Sequence, residues 1–231
     1  MSQSGNKIDQ AMILAAGLGT RLRPLTYLIP KPLLKVGGVS LIDRNLKILK
    51  RAGIKRVVIN LHHLGPMVKK HVGTGKRYGL KVVYTNETKI LGTGGGIKNA
   101  ERYLKGKPFI VINGDVFTKI NLKQIIAYHS KSGGAATMVV RKVRKGEDYA
   151  RINISKDGRL IGFGKGKFMF TGIQIFDPVI FKFLKKPSCL IESGYKKLLS
   201  NNLPVFTCLH KKYWNDIGTI ERYISAQKKY G

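Results

Sequence analysis

Four short apolar runs recur along the first half of the chain, each followed by a polar or glycine-rich break and then by a helical pattern. They are Ala11-Met12-Ile13-Leu14, the stretch 54–60 with Val57-Val58-Ile59, residues 80–85, and Pro108-Phe109-Ile110-Val111-Ile112. A strand that is apolar at successive positions is covered on both faces. Helical patterns lie between them. Leu41, Ile42, Leu46, Leu49 and Ala52 form a stripe, opened by the capping pattern Ser40-Leu41-Ile42-Asp43 and stopped by Gly53. A two-turn helix starts at Pro66 and ends near Gly73, another runs from 96 or 97 to 104, and a third covers 122–130. This alternation predicts an α/β fold with a mostly parallel sheet. From about Ala135 the rhythm changes to strands at 136–141, 150–154, 159–163 and 168–176, separated by turns such as Lys156-Asp157-Gly158. Short helices follow Asp177-Pro178 and cover 191–199, a strand covers 205–209, and a closing helix starts at Gly218 or Thr219 and reaches Lys228.

Charge narrows the function classes. The chain of 231 residues carries 43 Lys+Arg against 12 Asp+Glu, a formal net charge of +31. Such a balance attracts anions in general. The basic residues are spread over the whole length, with no five-residue block and no interleaved aromatic platform, so no specific nucleic-acid partner is expected. With so few carboxylates, any metal or acid–base site is drawn from twelve residues. The opening MSQSGNKIDQ is polar and lacks the apolar core of a signal peptide, and no apolar run approaches the ~18 residues of a membrane span. Cys189 and Cys208 form no metal or redox motif and read as buried thiols of a cytoplasmic protein. The length suits one domain over 10–231, with halves at 10–134 and 135–231 after a polar tail, 1–9.

The first strand leads into Ala15-Ala16-Gly17-Leu18-Gly19-Thr20-Arg21, and Pro30-Lys31-Pro32 follows. Small residues and glycines let main-chain N–H groups approach an anion, and the arginine and lysine neutralise its charge. Neither common phosphate loop is present: no Gly-Lys-Ser/Thr closes the segment, and Leu22 stands where a dinucleotide fingerprint has its third glycine. Two further segments follow strands, where open parallel sheets bind ligands. Leu91-Gly92-Thr93-Gly94-Gly95-Gly96 is either a tight strand-to-helix connection or bare backbone for a flat base or sugar. Asp115, in Asn113-Gly114-Asp115, either caps a turn or aims a carboxylate at the phosphate loop. Mg²⁺ takes one or two carboxylates together with phosphate oxygens and water.

These segments resemble the signature of the sugar-1-phosphate nucleotidyltransferases, or nucleotide-sugar pyrophosphorylases: a strand, Ala-Gly-x-Gly-Thr-Arg, a spacer and Pro-Lys. Ala16 to Arg21 and Pro30-Lys31 supply each element, and the resemblance extends from about Gln10 to Tyr230. It implies a three-layer, Rossmann-like α/β/α fold with a mixed, mostly parallel sheet and a small β-rich sugar-binding portion. It also implies that an NTP and a sugar 1-phosphate give an NDP-sugar and pyrophosphate, with Mg²⁺ as cofactor. The nucleotide would lie on Leu14, Ala15, Ala16, Gly17, Gly19, Thr20 and Gly114, with base and ribose at Gly94 and Gly95. Arg21 would hold the β- and γ-phosphates, and Lys31 the α-phosphate. Asp115 would be one metal ligand and Asp216 the other, because Trp214-Asn215-Asp216-Ile217-Gly218-Thr219 is similar to the family's Trp-x-Asp-Ile/Val-Gly-Thr.

The acceptor half departs from the pattern. Tyr149-Ala150-Arg151 and Asp157-Gly158-Arg159 through Phe163 resemble the family's Tyr-Gly…Asp-Gly-Arg-Ile…Phe stretch, but Gly164-Lys165-Gly166-Lys167 replaces Glu-Glu-Lys-Pro. Either Lys165 or Lys167 would then hold the sugar phosphate, and Gly172 carries over from the family pattern. Glu192 is the remaining acid for a sugar pocket, or a surface residue of its helix. His62, His63, His71, His129 and His210 lack metal-ligand spacing and read as structural. The resemblance is to short uridylyl- and guanylyltransferases of cell-envelope nucleotide-sugar synthesis, so the partner would be UTP or GTP. No appended β-helix is expected, and the protein would be a monomer or homodimer. The rival reading is a non-catalytic nucleotide-sugar sensor or RNA-associated relative, for which the basic surface speaks.

Overall fold

Strand β1 (Gln10–Leu14) is the axis of the molecule, since it pairs in parallel with β4 (Arg56–Leu61) on one side and with β6 (Phe109–Asn113) on the other. The computed structural model describes residues 7–230. Between β1 and β4 lie α1 (Leu25–Leu28), the hairpin β2 (Lys35–Val36) and β3 (Val39–Ser40), and α2 (Leu41–Arg51). Then come α3 (Gly65–Val72), β5 (Lys81–Asn86), α4 (Gly92–Asn99) and α5 (Glu101–Leu104). After β6 the chain forms β7 (Val116–Thr118), α6 (Leu122–Ser132), β8 (Ala136–Lys142), β9 (Arg151–Ile154), β10 (Leu160–Gly164) and β11 (Phe168–Phe176). It closes with α7 (Lys196–Ser200), β12 (Val205–Leu209), β13 (Trp214–Asp216) and α8 (Ile220–Tyr230).

One nine-stranded sheet carries both halves. Its path is β10-β9-β11-β6-β1-β4-β5, with β8 on the other side of β11 and β12 beyond β8. The β-rich second half is therefore built into the sheet and not hung beside it. Antiparallel β11 makes the join. Residues 173–176 pair with β6, whereas 168–169 run past the end of β6 and pair with β9. At that level β6 gives way to β9, and a cleft opens beyond the carboxyl ends of the parallel strands.

Alternation along the strands explains the three layers. Met12, Val58 and Val111 face Ile97, Leu104, Tyr195 and Leu198 on one side, while Ala11, Ile13, Val57, Ile59, Ile110 and Ile112 face Leu46, Leu49, Val68 and Ile125 on the other. A smaller cluster of Leu22, Leu34, Leu41, Phe117, Ile217 and Ala226 joins the segment after the glycine loop, the β7–β13 pair and α8. The expected cap of α2 is present: Ser40 Oγ accepts from the Asp43 amide at 3.1 Å.

Two local expectations change. The glycine run is no connection before a helix, because Gly92–Asn99 is itself the first part of the helical segment. Of the polar tail 1–9, residues 1–6 lie outside the described residues, but Ile8 is buried and the Asp9 carbonyl accepts from the amides of Lys55 and Arg56. No helix among the described residues is long and apolar enough to cross a membrane.

Candidate active site

The cleft, about 270 Å³ in volume, is lined by Leu14, Ala15, Ala16 and Gly17, by Lys31 and Pro32, and by Asn113, Gly114 and Asp115. Asn60, Glu87, Ile90, Gly92 and Thr93 complete its wall. Backbone contacts fix its floor. The Gly114 amide donates to the Leu14 carbonyl at 2.8 Å, and a Cβ on Gly114 would stand 2.7 Å from that oxygen. Only glycine permits this approach. The Ala15 amide donates to Asn60 Oδ1 at 2.8 Å. Gly19 sits at φ +66°, where its carbonyl accepts from the buried Thr26 hydroxyl at 2.8 Å. Leu22 anchors the short helical turn Thr20–Leu22, leaving Thr20 and Arg21 exposed.

The two aspartates meet because β7 and β13 pair antiparallel, with Asp216 opposite Val116 and the Ile217 amide donating to the Asp115 carbonyl at 3.0 Å. Lys31 Nζ donates to Asp115 Oδ2 at 2.5 Å. Arg222 Nη1 reaches both oxygens of Asp216, at 2.8 and 2.9 Å, and the Tyr149 hydroxyl donates to Oδ1 at 2.5 Å. A Cβ on Gly218 would lie 3.1 Å from Asp216 Oδ2 and 3.6 Å from Arg21 Nη2, so the guanidinium and that carboxylate flank Gly218. Burial pushes the Asp216 carboxyl above its usual range, and the negative charge of Asp115 adds to this. The Tyr149 hydrogen bond and the charges of Arg222 and Lys31 oppose it.

This pairing fits a divalent cation. Two like-charged carboxylates share a partly dehydrated corner, each now balanced by one basic side chain. Among the described residues no group of three or more His, Cys, Asp or Glu side chains could enclose a metal. A pair of acids matches Mg²⁺, which takes one or two carboxylates and fills its other positions with water and ligand oxygens.

Other candidates fall elsewhere. Gly94 and Gly95, expected at base and ribose, are not among the residues that line this cleft, and neither are Gly19, Thr20, Arg21 and Asp216. The amides of Gly94 and Gly95 donate to the Ser188 carbonyl at 3.0 and 3.2 Å, and side chains there would collide with Ser188. These glycines admit a neighbouring strap, and Gly92 and Thr93 face the cleft instead. Glu192 is 63% exposed and pairs with Lys196 one turn on, at 2.7 Å. It lines no part of this cleft. Lys165 and Lys167 are exposed on the turn between β10 and β11, outside the lining although beyond the same strand ends. Gly172, at φ +79°, touches no cleft directly. It leaves room for Asn113, whose Nδ2 would be 2.8 Å from a Cβ there.

Sequence reasoning passed over Glu87, Asn60 and Arg222. Glu87 is buried, accepting from Asn60 Nδ2 at 2.7 Å and from the Leu91 amide at 3.0 Å. Both Asn60 and Glu87 are polar residues at the ends of buried strands, the signal that picked out Asp115. The histidines are structural: His62 and His63 bond backbone carbonyls, His71 bonds Asp43, and His129 and His210 are buried on threonine hydroxyls.

A glycine-lined loop, two basic side chains and paired acids lie beyond the carboxyl ends of the parallel strands, where open α/β sheets bind ligands. The chain belongs to the Nucleotidyl transferase family, whose model matches residues 10–231. It is 27% identical over 230 residues to the mannose-1-phosphate guanylyltransferase catalytic subunit beta of Dictyostelium discoideum, covering 96% of this chain and 64% of that one. It is also 27% identical over 240 residues to the UTP–glucose-1-phosphate uridylyltransferase of Synechocystis, covering 94% and 62%. The chain thus spans just under two thirds of the length of these relatives. Among solved structures, HddC from Yersinia pseudotuberculosis complexed with GMP-PN superposes with a TM-score of 0.83 at 26% identity, over 97% of this chain and all of that one.

Proposed function

We propose that this chain is a sugar-1-phosphate nucleotidyltransferase, joining the α-phosphate of an NTP to a sugar 1-phosphate and releasing pyrophosphate. The observation that carries this reading is the grouping of Lys31, Asp115, Asp216 and Arg21: Lys31 and Asp115 line the cleft, Asp216 is brought beside Asp115 by the β7–β13 pair, and Arg21 flanks Gly218 together with the Asp216 carboxylate. The sugar phosphate, already an anion, attacks the α-phosphorus in line, so no general base is needed. Its oxygen forms the new P–O bond as the bond to the β-phosphate oxygen breaks, and the electron pair leaves with pyrophosphate. Asp115 and Asp216 would hold Mg²⁺, which when bound offsets charge on the phosphate oxygens. Lys31, freed from Asp115, stabilises charge growing at the α-phosphate, and Arg21 does so for the leaving pyrophosphate. The loop over 14–20 and Gly114 present the backbone against the nucleotide. Names of the relatives point to GTP or UTP as donor. The presence of Arg21, Lys31, Asp115 and Asp216 together favours catalysis over the sensor reading.

The experiment is a pyrophosphate-release screen of four NTPs against a panel of hexose, amino-sugar and heptose 1-phosphates, without nucleic acid. Turnover with GTP or UTP is expected. Absence of turnover with every pair, alongside tight, salt-sensitive RNA binding, would overturn the enzyme reading.

A further inference from the structure

The loop over 143–150 and the last helix converge on one carboxylate. The β7–β13 ladder fixes the backbone of Asp216 but leaves its side chain two rotatable bonds. Oδ1 takes the Tyr149 hydroxyl and Arg222, whereas Oδ2 takes only Arg222 and faces Gly218 and Arg21. Tyr149 is itself held. Its ring meets Trp214 edge-on at 5.8 Å, and the Arg222 guanidinium lies 4.6 Å from the ring centroid. The Arg141 guanidinium, 5.4 Å away, is clamped by both oxygens of Glu147, two residues before Tyr149 in the same loop. Glu147 also accepts from the Arg144 amide at 2.8 Å, which closes the loop on itself.

We propose that Tyr149 is a positioning residue for Asp216: its hydroxyl occupies Oδ1 and leaves Oδ2 on the side of Gly218 and Arg21, so that a loop of the second half sets the orientation of a metal carboxylate attached to the first. The proposal rests on the metal reading of Asp115 and Asp216. A phenol suits this task because it donates a strong hydrogen bond to a carboxylate without adding a charge that would compete with a cation. The Asp216 charge is balanced separately by Arg222. Partners that hold a ligating group typically contribute 10–100-fold to metal affinity. The ring alone would suffice for a packing role, since Trp214, Arg141 and Arg222 all contact it and not the hydroxyl.

Mn²⁺ affinity, read by electron paramagnetic resonance in the presence of a non-hydrolysable NTP analogue, separates these roles without turnover. The parent would be compared with Tyr149→Phe, Tyr149→Ala and Asp216→Asn, each checked by thermal melting. In Tyr149→Phe, Mn²⁺ binding is expected to weaken about tenfold while the melting temperature stays at the parent value. Tyr149→Ala should weaken it at least as much. Parent-like Mn²⁺ affinity in Tyr149→Phe with weakened binding in Asp216→Asn would overturn the positioning role alone. Parent-like affinity in Asp216→Asn would remove the metal role of Asp216 itself, and the inference with it.

Discussion

The two sides of the candidate site are held by different means. On the nucleotide side the geometry is set by backbone and buried groups: Gly114 on the Leu14 carbonyl, Ala15 on Asn60, Asn60 on Glu87, and Glu87 on the Leu91 amide. These contacts tie β1, β4, β5 and β6 into one rigid floor. On the side of the second half the contacts come from long side chains, Tyr149 and Glu147 of the loop over 143–150 and the buried Arg141 of β8, while Lys165 and Lys167 are exposed on a turn outside the cleft lining. A floor shaped by main chain tolerates little change. A surface made of side chains can be altered one residue at a time.

The largest effect should come from the acids that bridge the two sides. Asp115→Asn is expected to cut turnover by about 10³-fold or more, because charge stabilisation at a transferring phosphate is worth several kcal/mol. Its melting temperature should stay close to that of the parent. Near-normal kcat in a folded Asp115→Asn protein would break the metal assignment. Next comes the floor. Gly114→Ala places a Cβ 2.7 Å from the Leu14 oxygen, so a loss of about 1–3 kcal/mol in denaturant unfolding is expected, together with weaker NTP binding. An unperturbed midpoint would show that the floor yields more than its geometry suggests.

Smaller changes test the side of the second half. Lys165→Ala or Lys167→Ala should raise KM for the sugar 1-phosphate about tenfold, the worth of one charge-assisted hydrogen bond. The effect should appear in one of the two, with KM for the NTP and the melting temperature unchanged. If neither variant moves KM, the phosphate is held elsewhere. The mildest prediction concerns pH. Burial pushes the His210 imidazole below the ordinary histidine value; its bond to the Tyr213 carbonyl opposes this, and the Lys212 and Arg141 charges add to it. The unfolded chain therefore takes up this proton first. The resulting stability is complete above the unfolded value of about 6.5 and falls as pH drops towards the lower folded value. Between pH 7 and 5, His210→Gln should lose less melting temperature than the parent, and equal losses would rule out His210 as a contributor.

How legible the site was depended on the range of the forces involved. Asp115 could be found because a lone acid after a wholly apolar strand is a local signal. Asp216 could be found only through its surrounding motif, because β7 and β13 are three residues each and too short for a period. Arg222 was invisible as a site residue among 43 basic side chains, since nothing in its own turn of helix points to a carboxylate six residues earlier. Glu192 was a candidate through the scarcity of acids alone, and its ion-pair partner is a lysine one turn further along.

The sequence by itself determined the strand–helix alternation, the burial of the first-half strands and the glycine loop at Gly17 and Gly19, because periodicity and backbone freedom act over a few residues. Tertiary structure alone decided that the Gly92–Gly96 run becomes helix packed under Ser188, that β9 takes over beside β11 where β6 ends, and that Lys31 and Arg222 each choose one aspartate. Those outcomes follow from sheet order and register. These bring together groups far apart in the chain, and no local pattern encodes which cation reaches which acid.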